Sequence, residues 1–358
     1  MDFGNIRGDA DAPMKSIEIP VPCSRAETAA RAHQLQLTKP PGSLGRLEEL
    51  ACWFAARTGN PIPELSHSEI FVFAADHGVA AQGVSAFPQS VTGQMVANFA
   101  AGGAAINVLA SLEECPIEVV DVGVAGDTEA PRTVRKEKVR AGTRDLLIEA
   151  AMTDDELTAA LDVGARCARE AIQRGAQLLI AGDMGIANTT AAACLICAFT
   201  DILPEQVVGR GTGVDDSGLA RKREVVTAAL ARVGKAAPRK ILAHLGGLEI
   251  AAMAGFYIEA ARSGVPVLLD GYISGAAALA AVRLEPAAVR WMLASHRSAE
   301  GGHGHALQAL GLNPLIDLGM RLGEGSGAAL TLPIIKAALA LHRNMATFAS
   351  AGVDGKSP

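Results

Sequence analysis

The sequence predicts an α/β protein: a doubly wound, mostly parallel sheet with a smaller helical lobe formed by the N- and C-terminal segments. Three observations predict it. Apolar runs ending in small or polar residues recur along the chain, which is how a parallel strand buried on both faces reads. Helical patterns separate these runs, and strands alternating with helices build a parallel sheet. Hydrophobic residues are 49% of the 358, yet aromatic ones only 4%. That composition suits helices lying close against a sheet.

The elements follow in order. Residues 1–23 read as a loosely ordered N-terminus. From Ser24 to Arg57 the pattern is helical, interrupted by "TKPPGSLGRLEEL", where a Pro-Pro-Gly turn feeds a helix beginning near Ser43. "EIFVFAADHGVA" (69–80) is the first buried strand, arriving at polar residues. "PIEVVDVGVAG" (116–126), "AQLLIAGDMGIANTT" (176–190), "RKILAHLGG" (239–247) and "VPVLLDGYISGAAALAA" (265–281) repeat the design. "VRWMLASHRSAEGGHGHAL" (289–307) is a sixth candidate. Helices are expected over 90–111, 154–174, 189–199, 219–233, 248–263 and 274–283. Residues 61–325 then form the large domain, and 24–60 packs with 326–350 as the small lobe. Ligands of such sheets sit beyond the carboxyl ends of the strands. There the chain places Asp76-His77-Gly78, Gly182-Asp183, Gly246-Gly247, Asp270-Gly271 and Ser295-His296.

Several function classes are excluded. A net charge of −6 gives no footprint for nucleic acid. The N-terminus lacks the basic start and apolar core of a signal peptide, and no uncharged apolar stretch is expected to reach the roughly 20 residues of a membrane helix. A cytoplasmic protein is the expectation. Six scattered cysteines read as reduced thiols; Cys194 and Cys197 of "CLIC" lie inside "TTAAACLICAF" and read as buried structural residues. No P-loop signature is present, and "GRGTGVDDSG" (209–218) fails the G-x-G-x-x-G pattern. Its "VDDSG" is faintly similar to the acidic pair of metal-dependent pyrophosphate-sugar transferases, but follows glycines rather than a strand. His303 and His305 offer half a metal site, with Glu300 the one acidic neighbour on that element. A polar loop with surface histidines is the favoured reading, and neither metal nor cofactor is expected. Asp76-His77 is either catalytic or holds loops together.

Two stretches carry chemistry. "GDMGIANTTAA" (182–192) sets small residues, an Asn and two threonines before a helix, giving N–H and hydroxyl donors for a phosphate. Lys222, in a later helix, offers a balancing charge. "MRLGEGSGAAL" (320–330) places Glu324 between glycines ahead of an apolar helical run. Free backbone N–H groups at such a start favour anionic ligands, so a carboxylate there calls for an explanation.

These stretches assemble into a pattern. "TKPPGSLGRLEELA", "AADHGVAAQGVSAFPQSVT", "GGAAINVLA", "GDMGIANTT", "PVLLDGYISGAAALAA", "SHRSAE" and "MRLGEGSGAALTLPI" together resemble the nicotinate-nucleotide:dimethylbenzimidazole phosphoribosyltransferase family, in order from about residue 24 to 348. The resemblance implies that Glu324 is the catalytic base. Where the family carries a glutamate in its "GELGxxNTT" loop, this chain has Asp183, one methylene shorter and so auxiliary. It implies attack of a benzimidazole nitrogen on C1′ of nicotinate mononucleotide, with loss of nicotinate and inversion from β to α. The pyridinium leaves neutral at its nitrogen and needs no acid or magnesium. The implied site holds the phosphate and ribose with Gly185, Asn188, Thr189, Thr190, Lys222 and Ser295. Its apolar acceptor pocket is made by Phe87, Pro88, Met95 and Leu322. A homodimer acting on small molecules is implied as well. Two other readings stay open: a metal-dependent pyrophosphate-sugar transferase, and a binding protein that kept the pocket and lost the chemistry.

Overall fold

Six parallel strands hydrogen-bond into one sheet, in the order β3-β2-β1-β4-β5-β6. In this computed structural model, which describes residues 18–126 and 133–354, they are β1 (Ser68–Ala75), β2 (Ile117–Gly123), β3 (Val134–Lys136), β4 (Leu178–Met184), β5 (Val267–Leu269) and β6 (Met292–Ala294). Every residue of β1 is buried. Successive side chains of a strand point to opposite faces, so both faces of the sheet need cover. Ile70, Val72 and Ala74 enter one apolar cluster with Ile180 and Leu268, while Phe71, Phe73 and Ala75 enter a second with Leu179 and Ala181.

The first helices are α1 (Ser24–Gln34), α2 (Arg46–Thr58), α3 (Val91–Ala100), α4 (Ala105–Leu112) and α5 (Asp154–Gln173). Next come α6 (Asn188–Thr200), α7 (Pro204–Val207), α8 (Asp216–Val233), α9 (Pro238–Leu245) and α10 (Leu248–Arg262). The chain ends with α11 (Tyr272–Leu284), α12 (His303–Leu310), α13 (Ser326–Asn344) and α14 (Phe348–Ala351). Phe54 of α2, Val96 of α3, Ile106 of α4 and Ile335 of α13 pack on the Ile70 side. Leu157 of α5, Leu195 of α6, Phe256 of α10 and Ala277 of α11 pack on the Phe71 side. Strand order reverses between β1 and β4, and ligands of such sheets settle in the crevice at that reversal.

On the Phe71 side, α5 and α10 touch backbone to backbone. A Cβ on Gly164 would lie 1.7 Å from the carbonyl oxygen of Ala252, and one on Gly255 2.0 Å from that of Leu161. Backbone cannot rotate aside as a side chain can, so the helices would have to part. Gly164→Ala is expected to destabilise the protein by about 1–3 kcal/mol, the usual range for overpacking. A urea midpoint unchanged from wild type would contradict this.

The terminal segments meet through specific bonds. The side chain of Gln34 pairs with His342 Nδ1 at 2.7 Å, and Nε2 of His342 bonds the Pro61 carbonyl at 2.9 Å. Leu37 bridges Thr347. The apolar sides of α2 and α13 run on into the cluster beneath the sheet.

Some expectations need correction. "RKILAHLGG" is not a strand but helix α9, with Pro238 in its first turn and Ile241, Leu242 and Leu245 on its buried side. Residues 90–111 are not one helix, because Gly102 (φ +80°) and Gly103 part α3 from α4. Residues 91–112 are nevertheless, by length and composition, long and apolar enough to cross a membrane, contrary to the expectation that no such stretch exists. The short edge strand β3 has no counterpart among the expected strands. Of the segment read as loosely ordered, residues 1–17 lie outside the described residues. Within the rest, Ile19 is buried and Trp291 Nε1 donates to the Pro20 carbonyl at 3.0 Å. Cys194 and Cys197 are buried in α6, and burial pushes both thiols up, Cys197 to about 12.

Candidate active site

A cavity of about 300 Å³ opens beyond the carboxyl ends of β4, β5 and β6. β4 delivers Asp183, then the turn through Gly185 brings the start of α6 to the wall. No side chain caps α6; the Asn188 and Thr190 N–H groups donate to the Gly185 and Ala187 carbonyls, which leaves the Thr189 N–H of that turn open to a ligand. Lys222 of α8 stands behind Thr189, donating to its Oγ1 at 2.7 Å and to the Gly209 carbonyl at 3.3 Å. Burial lowers the Lys222 pKa to about 8. Arg321 crosses from the opposite wall to the Gly211 carbonyl at 2.7 Å. One side of the cavity is therefore rich in donors and positive charge.

Carboxyl groups stand among these donors. Asp183 Oδ2 accepts from Asn188 Nδ2 at 2.9 Å. Burial, with Asp270 and Glu249 nearby, raises its pKa well above the usual carboxylate range. Glu324 follows Gly323, which lines the cavity. Residues 323, 324 and 325 all have left-handed backbone, with φ +86°, +66° and +91°. Such a conformation costs a non-glycine residue about 1–2 kcal/mol, and local strain of this kind gathers at functional sites. Glu324 is buried; its Oε2 accepts from the Ile106 N–H at 3.3 Å and its own N–H donates to the Asp183 carbonyl at 3.3 Å. Burial raises its pKa too.

The anion expected at the start of α13 is Asp270. Its Oδ2 accepts from Gly325 N–H at 3.1 Å and its Oδ1 from Ala328 N–H at 3.0 Å. His296 Nε2 approaches Asp270 Oδ1 at 3.7 Å. The helix end is thus satisfied without the carboxylate of Glu324, which is buried just behind the cavity wall at Gly323, one oxygen held by the Ile106 N–H.

The residues named from sequence divide into three groups. Asp183, Gly185, Asn188, Thr189, Phe87 and Leu322 line the cavity, the last two as half-exposed apolar side chains. Lys222, Ser295 and Thr190 are buried behind it, Ser295 donating to the Asp270 carbonyl at 3.3 Å. Pro88 and Met95 are not among the residues that line it; Met95 packs against the cluster on the Ile70 side. Sequence reasoning missed Arg321, Thr212, Tyr272 and Glu300 as wall residues. Arg321 stands beside Leu322 in the quoted "MRLGEGSG", so its signal was present.

His296 and His303 are buried rather than at the surface, whereas His305 is half-buried. His303 is buried at the start of α12, its Nδ1 accepting from Ser298 N–H at 2.8 Å. Burial first, then the neighbouring His296 and Arg297, lower its pKa to about 3. His77 Nε2 meets Glu249 Oε1 at 2.6 Å, both side chains fully buried under Gly185 and Gly247, which fits the loop-holding reading. Asp215 caps α8 by accepting from Gly218 N–H, and Asp216 pairs with Arg210. That acidic pair is a helix start, away from the cavity wall. Among the described residues no group of three or more His, Cys, Asp or Glu is arranged to hold a metal ion.

Comparisons with known proteins agree with this architecture. Residues 19–353 match a family described as "Phosphoribosyltransferase". The nicotinate-nucleotide–dimethylbenzimidazole phosphoribosyltransferase of Chromobacterium violaceum is 60% identical over 334 residues, covering 93% of this chain and 97% of that one. The protein of the same name from a Bradyrhizobium species is 52% identical over 344 residues, covering 95% and 98%. A crystal structure of the enzyme of that name from Thermus thermophilus superposes with a TM-score of 0.89 at 48% identity, covering 93% of this chain and all of the other. The chain belongs to the nicotinate-nucleotide–dimethylbenzimidazole phosphoribosyltransferase family and is a transferase.

Proposed function

We propose that the protein transfers the 5-phosphoribosyl group of nicotinate mononucleotide to 5,6-dimethylbenzimidazole or a related base. The products are α-ribazole 5′-phosphate and nicotinate, within the nucleotide-loop branch of cobalamin synthesis. The observation that carries this reading is the mixed lining of one cavity. Its wall brings together donors at the start of α6, the Asp183 and Glu300 carboxyls, and apolar Phe87 and Leu322, with Glu324 buried behind Gly323.

The chemistry follows from those groups. A phosphate suits the uncapped end of α6. Lys222 donates to Thr189 Oγ1, which directs the hydroxyl's own proton outward to a ligand oxygen. At C1′ the pyridinium departs with its bonding electrons and becomes neutral at nitrogen, so no acid is required. The entering azole nitrogen gains positive charge as its bond to carbon forms, and its opposite N–H becomes acidic. Glu324 takes that proton; its raised pKa lies nearer neutrality than an exposed glutamate's, which favours a general base. Asp183 is auxiliary. A single displacement on the face opposite the leaving group inverts the anomeric centre. We further propose a cytoplasmic homodimer on the strength of the resemblance.

The test is turnover with both substrates in the presence of a chelator, followed by chromatography of nicotinate and the anomeric proton of the product. Transfer to the α anomer is expected. A requirement for magnesium would favour the pyrophosphate-sugar reading, and binding of both substrates without nicotinate release would favour a binding protein. Lys222 adds a pH signature. Below about 8 its ammonium is charged and supports the phosphate; as pH rises through that value the support is lost. Nucleotide kcat/KM should therefore fall on the alkaline side, since this parameter reports the free enzyme. Lys222→Met should remove that limb; an alkaline limb surviving in the variant would reassign it.

A further inference from the structure

We propose that Glu300 recognises the ribose of the nucleotide by accepting hydrogen bonds from its hydroxyls, and so sets a preference for ribonucleotides over deoxyribonucleotides. The assignment rests on the donor reading above. Glu300 lines the cavity yet is only 7% exposed. Its Oε2 is buried with no hydrogen-bond partner among the described residues. The nearby ammonium of Lys222 raises no objection, since it is committed to Thr189 Oγ1 and the Gly209 carbonyl.

The backbone that carries the carboxylate is also held in place. Glu300 N–H donates to Ser298 Oγ at 3.3 Å, and its carbonyl accepts from His303 N–H at 3.0 Å. Ser298 N–H is fixed in turn on His303 Nδ1. Opposite it the chain carries Gly209, where a Cβ would fall 2.1 Å from Oε2. A carboxylate buried without a partner, in a rigid loop and facing a residue without a side chain, is prepared for a donor that arrives with the ligand.

The chemistry of that donor narrows the choice. An ionised carboxylate only accepts. The phosphate and the nicotinate carboxylate offer no protons at neutral pH and repel it. The ribose presents two adjacent hydroxyls, and acidic side chains on ribose hydroxyls are a recurrent solution in nucleotide sites. Gly209, against which Glu300 lies, leads directly into the Gly211–Thr212 wall. A sugar whose 5′-phosphate sits at Thr189 would reach Glu300 next. The acceptor azole, with one N–H, is the competing donor.

The experiment compares kcat/KM of the full-length protein for nicotinate mononucleotide and its 2′-deoxy and 3′-deoxy analogues, in wild type and Glu300→Gln. Wild type should prefer the ribonucleotide to at least one analogue by about 10²-fold or more, because sites built around a hydroxyl reject ligands lacking it strongly. Glu300→Gln should shrink that ratio at least about tenfold with the acceptor KM unchanged, since the lost bond is to the sugar. An unchanged ratio, or a raised acceptor KM instead, would overturn the proposal. Glu300→Asp, which withdraws the carboxylate by one methylene, replaces the Gln variant if that fails to fold. Should wild type bind the nucleotide without transferring it, the donor reading fails separately. The same three nucleotides are then titrated by calorimetry, and ribose recognition stands or falls on their affinities.

Discussion

Replacing Glu324 by Gln should lower turnover by about 10²- to 10⁴-fold, the span of general-base catalysis, while leaving nucleotide affinity in place. The amide keeps the size of the side chain, and Asp270 rather than Glu324 satisfies the start of α13. The loop should therefore persist. In wild type, kcat should fall as pH drops through the raised pKa of Glu324, because protonation disables the base. The variant should lack that acid limb. Near wild-type turnover in a folded Glu324→Gln protein would remove the residue from the mechanism.

Gly182→Ala should be nearly as damaging, although its side chain would touch no substrate. A Cβ at 182 would meet the carbonyl oxygen of Glu324 at 2.1 Å and Gly325 N at 2.5 Å. Both obstacles are backbone in a loop already held in left-handed conformations, so the loop itself must move. A displacement of about 1 Å can cost about 10²-fold in rate. The expected result is a loss of that order in kcat, with a thermal midpoint lowered but the fold retained. Full activity at wild-type stability would show that β4 does not set the position of Glu324.

Much of this architecture can be read from the chain because buried parallel strands leave a strong trace. β1, β4 and the strands around them are apolar runs closing on small polar residues, and the cavity lies at those closures. β3 leaves none: it is three residues long, and its Arg135 is held by Glu118, Glu137 and Glu170, so it reads as a charged loop. α9 reads as a strand because a short apolar run before two glycines fits either structure. Pro238 in its first turn is the discriminating cue. In the site, Glu324, Asp183 and Thr189 stand in glycine-rich stretches whose purpose is visible locally. Glu300 and Asp270 are different. Their meaning depends on what stands opposite, Gly209 for one and the start of α13 for the other, and no local pattern records a partner as remote as the 55 residues between Asp270 and Gly325.

The mutual approach of Gly164 and Gly255 has a bearing on how this protein can change over generations. Where helices touch backbone to backbone there is little left to delete: a glycine at the seam has no methyl group whose removal could open a hole. The seam has correspondingly little room for additions. At the seam around Gly164 and Gly255 enlarging substitutions should thus be purged, whereas at Leu157 and Phe256, which fill the core beside it, trimming would be the costly change. Natural drift at the two seam positions would then be confined to the smallest residues.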